Sequence, residues 1–172
     1  FDYDGTAAID GQLPTQRVRQ AVAAARAQGA ILALATGRPY DSAARYALAL
    51  GLDAPVICFQ GAMVREISGE KRPLFVEPSP ADAMQEILML AEERGLELNL
   101  YSETRMYVVP RGRPASFYEK WFGMETQFVN SYPEMWNVFG ALGMPPLKGL
   151  FIGDPDTNAA FRDELDRRFA GR

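Results

Sequence analysis

Two aspartates stand near the start of the chain, in the run Phe1-Asp2-Tyr3-Asp4-Gly5-Thr6. In an extended segment side chains alternate between faces, so Asp2 and Asp4 project to the same side about 6–7 Å apart and can share one substrate. Gly5 permits the sharp turn that ends such a strand. An acidic pair at the C-terminal end of a parallel strand lies where open α/β sheets bind ligands. The plainer reading is an Asp-Gly turn with an incidental second acid. A second run, Ala35-Thr36-Gly37-Arg38-Pro39, follows an apolar stretch and precedes a helical one. A hydroxyl at a strand's end, a glycine that frees backbone amides and the N-terminus of the next helix together make an anion site. Arg38 either adds positive charge near a bound anion or anchors the loop through a salt bridge.

Composition narrows the chemistry. Among 172 residues there is no histidine and one cysteine, which excludes Ser-His-Asp and Cys-His machinery, His-ligated zinc and a thiolate cage. What remains is carboxylates, hydroxyls, lysine, arginine and backbone amides, a set that suits Mg²⁺ and phosphate better than transition metals. Cys58 lies inside the apolar run Pro55-Val56-Ile57-Cys58-Phe59 and reads as a buried strand thiol. With 18 basic and 22 acidic residues, a net charge of -4 and no long run of one sign, the chain lacks the footprint of a nucleic-acid binder. No apolar stretch reaches the roughly 20 residues needed to cross a bilayer. The expectation is a soluble protein of a reducing, cytoplasmic setting, with no nucleic-acid or membrane partner; oligomeric state is not legible.

The elements that must position these residues follow from periodicity. Thr15 to Gln28 places Val18, Val22 and Ala25 on one helical face and stops at Gly29. Ala30 to Ala35 is a continuous apolar run, as in a strand covered on both faces of a parallel sheet. Tyr40 to Leu50 reads as a helix and Pro55 to Phe59 as the next buried strand, a strand-helix alternation that implies parallel crossovers. From Gly61 the texture changes. Met63 to Ile67 and Pro73 to Glu77 flank Ser68-Gly69-Glu70 as a hairpin, and Pro80 to Arg94 carries the apolar stripe Met84, Ile87, Leu88 and Ala91. Strands at Leu96–Tyr101, Arg105–Val109 and Leu147–Ile152 and helices at Ala115–Phe122 and Asp156–Phe169 complete an α+β pattern. A domain boundary is expected near Gln60 to Met63, giving domains of residues 1–60 and 61–172.

Phe1-Asp2-Tyr3-Asp4-Gly5-Thr6, Ala35-Thr36-Gly37-Arg38-Pro39 and Pro55-Val56-Ile57-Cys58-Phe59-Gln60-Gly61-Ala62, with the helix between the first two, resemble the haloacid dehalogenase-like superfamily in its Cof-type sugar-phosphatase branch. The resemblance implies a Rossmann-like parallel-sheet α/β core with an α+β cap domain, and a chain truncated at both ends. It implies a small phosphorylated substrate, such as a sugar phosphate, hydrolysed with Mg²⁺. In that scheme Asp2 is the nucleophile that becomes an aspartyl-phosphate, and Asp4 is the general acid and then base. Thr36, Gly37 and Arg38 form the phosphate-binding loop, and Asp2 with the Asp4 carbonyl oxygen binds the metal. Gln60 stands where the family usually has Asn.

The family also requires a later Lys and an acidic Gly-Asp motif. Lys148 and Gly153-Asp154 offer both, but they share one strand followed by Pro155 and a helix, which fits the last strand and helix of the cap better. Met84, Met89, Phe117, Tyr118, Trp121 and Phe122 read as cap core, Glu92-Glu93-Arg94 as a solvated face, and Arg105, Arg111 and Arg113 as surface charge. Competing functions are phosphotransfer between sugar hydroxyls, a receiver-like module phosphorylated on aspartate, and a fragment that binds phosphate without catalysis.

Overall fold

The computed structural model describes residues 1–9, 12–122 and 124–170, with residues 119–122 described through their backbone alone. The chain divides into two compact units, Phe1–Glu77 and Pro78–Arg172.

In the first unit, α1 (Gln16–Ala27) starts where the Thr15 side chain accepts from the Val18 N–H, and α2 (Tyr40–Ala49) follows Pro39. Three extended segments lie side by side. The Phe1 amine donates to the Ala33 carbonyl at 3.1 Å, and the Ala35 N–H donates to the Phe1 carbonyl at 3.0 Å. On the other side the Ile57 N–H donates to Leu34 and the Thr36 N–H to Ile57, both at 2.9 Å. This is parallel pairing, with Ala35 opposite Ile57. It engages only the end of the apolar run: Leu34 is fully buried but Ile31 is 90% exposed. The pairing on its two sides runs along residues 33–36, with Leu34 buried between the neighbouring segments.

β1 (Val56–Cys58) pairs antiparallel with β2 (Met63–Arg65), which pairs antiparallel with β3 (Pro73–Val76). These ladders tie the hairpin to the first unit, so the division falls at 77/78 and not near residues 60–63 as the change of texture suggests. Cys58 is buried as expected, its thiol directed to the Met63 carbonyl at 3.6 Å.

The second unit contains α3 (Ala81–Glu93), β4 (Glu97–Tyr101), β5 (Arg105–Val108), α4 (Ala115–Phe122), β6 (Glu125–Phe128), α5 (Tyr132–Leu142), β7 (Lys148–Ile152) and α6 (Pro155–Arg168). Its sheet runs β6-β5-β4-β7, with β5 and β6 parallel and the other pairs antiparallel. α3 and α5 supply Met84, Leu88, Ala91, Met135 and Phe139 to a core completed by Leu98, Leu100 and Tyr107 from the sheet. The Tyr132 hydroxyl pins α5 to the start of β4, donating to the Leu96 carbonyl at 2.6 Å and accepting from the Leu98 N–H at 2.8 Å. Met89 does not join this core. It is 61% exposed, since the position after Leu88 is turned about 100° away from the buried stripe. Tyr118 is fully buried, while the side chains of Trp121 and Phe122 lie outside the described residues. Among the described residues no helix is long and apolar enough to cross a membrane.

Alternation along β4 puts Glu97, Asn99 and Tyr101 on the face opposite Leu98 and Leu100. The Glu97 carboxylate accepts from the Tyr118 hydroxyl at 2.7 Å and from Arg113 Nε at 3.1 Å. Asn99 is fully buried, and among the described residues neither polar atom of its amide has a hydrogen-bond partner. A buried amide without hydrogen bonds keeps its desolvation cost with no return. Asn99→Leu, nearly the same shape without polar atoms, is therefore expected to raise the free energy of unfolding by about 1–2 kcal/mol, read as a higher denaturant midpoint at unchanged slope. A fall of the midpoint would show that the amide is bonded in solution.

Candidate active site

Asp2 and Asp4 are oriented by the residue between them. Tyr3 is fully buried and stacks on Tyr46 of α2 with ring centroids 4.0 Å apart. Its hydroxyl donates to the Gln12 carbonyl, and burial pushes that hydroxyl up to about 12, so it stays neutral. With Tyr3 fixed inward, alternation turns Asp2 and Asp4 to the other side. Asp2 is exposed and Asp4 half-buried. The chain then curls back: Gly5 takes φ 72°, and the Tyr3 carbonyl accepts from the N–H groups of Ala7 at 2.9 Å and Ala8 at 3.0 Å. A side chain at residue 5 would be strained in that conformation.

The Thr36-Gly37-Arg38 loop is carried at the end of the central extended segment. Thr36 is 6% exposed, and its hydroxyl accepts from the Arg38 N–H at 3.3 Å. The Arg38 side chain returns to the acidic pair. Its Nε donates to Asp4 Oδ2 and its Nη2 to Asp4 Oδ1, both at 2.6 Å. Its guanidinium carbon also lies 5.2 Å from the centre of the Tyr46 ring. The bond to Asp4 is the main cause holding the Arg38 guanidinium above its ordinary value. A two-point guanidinium–carboxylate fork fixes orientation as well as charge. Of the two roles open to Arg38 in the sequence, the structure shows the salt bridge, and it is made to Asp4.

The metal ligands that the sequence resemblance implies are the Asp2 carboxylate and the Asp4 carbonyl oxygen. Both Asp4 carboxylate oxygens are engaged by Arg38, which leaves the Asp2 carboxylate and the Asp4 main-chain oxygen as donors. Among the described residues no group of three acidic or thiol side chains gathers to hold a metal. One carboxylate and one carbonyl suit a small hard cation that keeps its waters and shares substrate phosphate oxygens, as Mg²⁺ does.

Lys148 and Asp154 lie in the second unit. Lys148 begins β7 opposite Tyr101 of β4, its ammonium 5.5 Å from the centre of the Tyr101 ring, and burial lowers its affinity for a proton. Asp154 is the N-cap of α6, accepting from the Thr157 N–H at 2.9 Å, and hydrogen bonding from the Thr157 side chain, then from its N–H, holds the Asp154 carboxyl below the usual range. Arg105, Arg111 and Arg113 form ion pairs with Glu125, Glu92 and Glu97, which accounts for their charge without a ligand.

One residue that spacing alone does not single out for the loop is Gln60. A Cβ placed on Gly37 would lie 3.0 Å from Gln60 Cγ, a tight contact that only a shift of the Gln60 side chain would relieve. Gly37 itself is not in the left-handed region.

The pattern of the haloacid dehalogenase-like hydrolase family matches residues 1–172. Among solved structures, the chain is similar to a haloacid dehalogenase-like hydrolase from Bacteroides thetaiotaomicron, with a TM-score of 0.76, 19% identity, and coverage of 99% of this chain and 63% of that one. A HAD/COF-like hydrolase described from Plasmodium vivax gives 0.73 at 18% identity, covering 99% and 61%. A phosphatase of the same superfamily from Bacteroides thetaiotaomicron gives 0.69 at 19% identity, covering 96% and 59%. At these identities the likeness is one of fold. The chain spans about three fifths of the length of these relatives.

Proposed function

This chain belongs to the haloacid dehalogenase-like hydrolase family, and from that premise we propose that it carries the nucleophile, acid–base group and phosphate loop of a Mg²⁺-dependent phosphatase of small phosphomonoesters, sugar phosphates among them. The observation that supports this most is the fork between Arg38 and Asp4, at 2.6 Å for both bonds, which joins the acidic pair to the anion loop across 34 residues of sequence. We assign the chemistry to the first unit and the choice of substrate to the second.

In the first step an Asp2 carboxylate oxygen attacks phosphorus. A bond forms from phosphorus to Asp2, the bond from phosphorus to the ester oxygen breaks, and Asp4 delivers a proton to the departing alcohol. In the second step Asp4 takes a proton from water, which attacks the aspartyl-phosphate and releases inorganic phosphate. Because both Asp4 oxygens accept from Arg38, one must turn to the ester oxygen while the other stays on the guanidinium, which then acts as a pivot. The Thr36 hydroxyl and the Gly37 amide hold the transferring group. The Asp2 carboxylate and the Asp4 main-chain oxygen would hold Mg²⁺, which would supply positive charge to offset the phosphate charge facing the carboxylate. Lys148 and Asp154 receive no role in this scheme, Asp154 being committed to its helix cap.

The test is release of inorganic phosphate from a panel of sugar phosphates by the full-length protein, with Mg²⁺ present, chelated and restored. Release is expected to stop on chelation and return with Mg²⁺. Phosphate retained on a second sugar hydroxyl would favour phosphotransfer, and no turnover of any ester would remove the phosphatase reading.

A further inference from the structure

Phe59, Gln60 and Gly61 follow β1 with φ of 50°, 58° and 101° in succession. Two of these three residues carry a Cβ, which disfavours the left-handed region. The strain is held in place by backbone hydrogen bonds on either side of Gly37. The Phe59 N–H donates to the Arg38 carbonyl at 3.0 Å, and the Gln60 N–H donates to the Thr36 carbonyl at 3.2 Å. Their effect is to lay the Gln60 side chain along the Thr36-Gly37-Arg38 loop. A Cβ at Gly37 would meet its Cγ at 3.0 Å, its Cδ at 3.5 Å and its Nε2 at 3.6 Å. Yet Gln60 is exposed, so burial of its side chain does not repay the strained backbone. A turn that needed only the left-handed conformation would be served better by Gly or Asn. Strained backbone persists where surrounding structure enforces it, and such places gather at functional sites.

We propose that Gln60 is a phosphate-binding residue, its side-chain amide donating a hydrogen bond to an oxygen of the phosphoryl group held by Thr36 and Gly37. The assignment rests on the phosphatase reading. It gives Gly37 a second purpose, since a side chain there would press on Gln60 Cγ beside the amide. It also gives the strained turn one, since in that conformation the turn brings residue 60 to the loop.

Two substitutions separate this from a structural role. Gln60→Met keeps the length and packing of the side chain but removes the donor, and Gln60→Gly removes the side chain and relieves the backbone. In the full-length protein with Mg²⁺, inhibition by inorganic phosphate is expected to weaken roughly 10- to 100-fold in both variants, the loss of one hydrogen bond to a charged group. The thermal midpoint should stay level in Gln60→Met and stay level or rise in Gln60→Gly. Unchanged phosphate inhibition in Gln60→Met overturns the proposal while leaving the phosphatase reading intact. A wild-type protein that neither binds phosphate nor releases it removes that reading, and the assignment with it.

Discussion

Asp2→Asn is expected to reduce phosphate release by about 10⁴- to 10⁶-fold, the range seen when a nucleophile is removed from machinery that acts as a unit. The fold should not notice the change. Asp2 is exposed, and the anchoring of its segment is done by Tyr3, which is fully buried against Tyr46, and by backbone bonds of Phe1 to Ala33 and Ala35. A surface substitution of this kind moves stability by no more than about 0.5 kcal/mol. An amide of the same shape keeps those contacts and lacks the charged oxygen that attacks phosphorus. Turnover with radiolabelled ester should leave acid-stable, hydroxylamine-sensitive label on the wild-type protein and none on Asp2→Asn. Activity within tenfold of wild type would move the nucleophile elsewhere.

The parts of this site that the sequence discloses are those set by local geometry. The shared face of Asp2 and Asp4 follows from the period of an extended segment, and the buried Tyr3 between them agrees with it. The stripe Met84, Leu88 and Ala91 follows from the helical period and packs into the core as expected. Long-range pairing is what periodicity does not carry. The residues of β2 give no sign that they pair with β1, so the change of texture at Gly61 suggests a boundary the backbone ladders do not respect. The choice between two roles for Arg38 turns on a partner 34 residues away, and the contact of Gln60 with Gly37 depends on a backbone conformation that glutamine rarely adopts. α5 is a different omission, because its signals are local. Ser131 caps it by accepting from the Glu134 N–H, Pro133 stands in its first turn and Gly143 ends it at φ 69°. Tyr132, Pro133 and Gly140 interrupt the residue types that usually mark a helix, and the capping pattern outweighs them.

Arg38→Met should show whether the guanidinium serves the acid–base group or the phosphate directly. The variant loses both bonds to Asp4 and leaves a carboxylate that is still 29% exposed at its side chain. The cost in stability is therefore smaller than for a fully buried pair, about 1–2 kcal/mol. Freed from its fork, the Asp4 side chain samples orientations that no longer aim an oxygen at the leaving group, and misplacement of about 1 Å can cost about 10²-fold. The expected signature is a fall in kcat of about 10²-fold with KM and inhibition by inorganic phosphate near wild type. Arg38→Lys retains the charge without the planar fork and should recover only part of kcat, since one ammonium cannot hold both oxygens in one plane. If Arg38 instead binds the phosphoryl group, the balance reverses: KM and phosphate inhibition shift in Arg38→Met by as much as kcat, and Arg38→Lys restores both through charge alone. Steady-state kinetics of the two variants beside Asp4→Asn settles the matter, because a residue that works by orienting Asp4 has little left to lose once Asp4 is gone. The double variant should then lose far less than the sum of the single losses, whereas a direct phosphate ligand would lose its full share a second time.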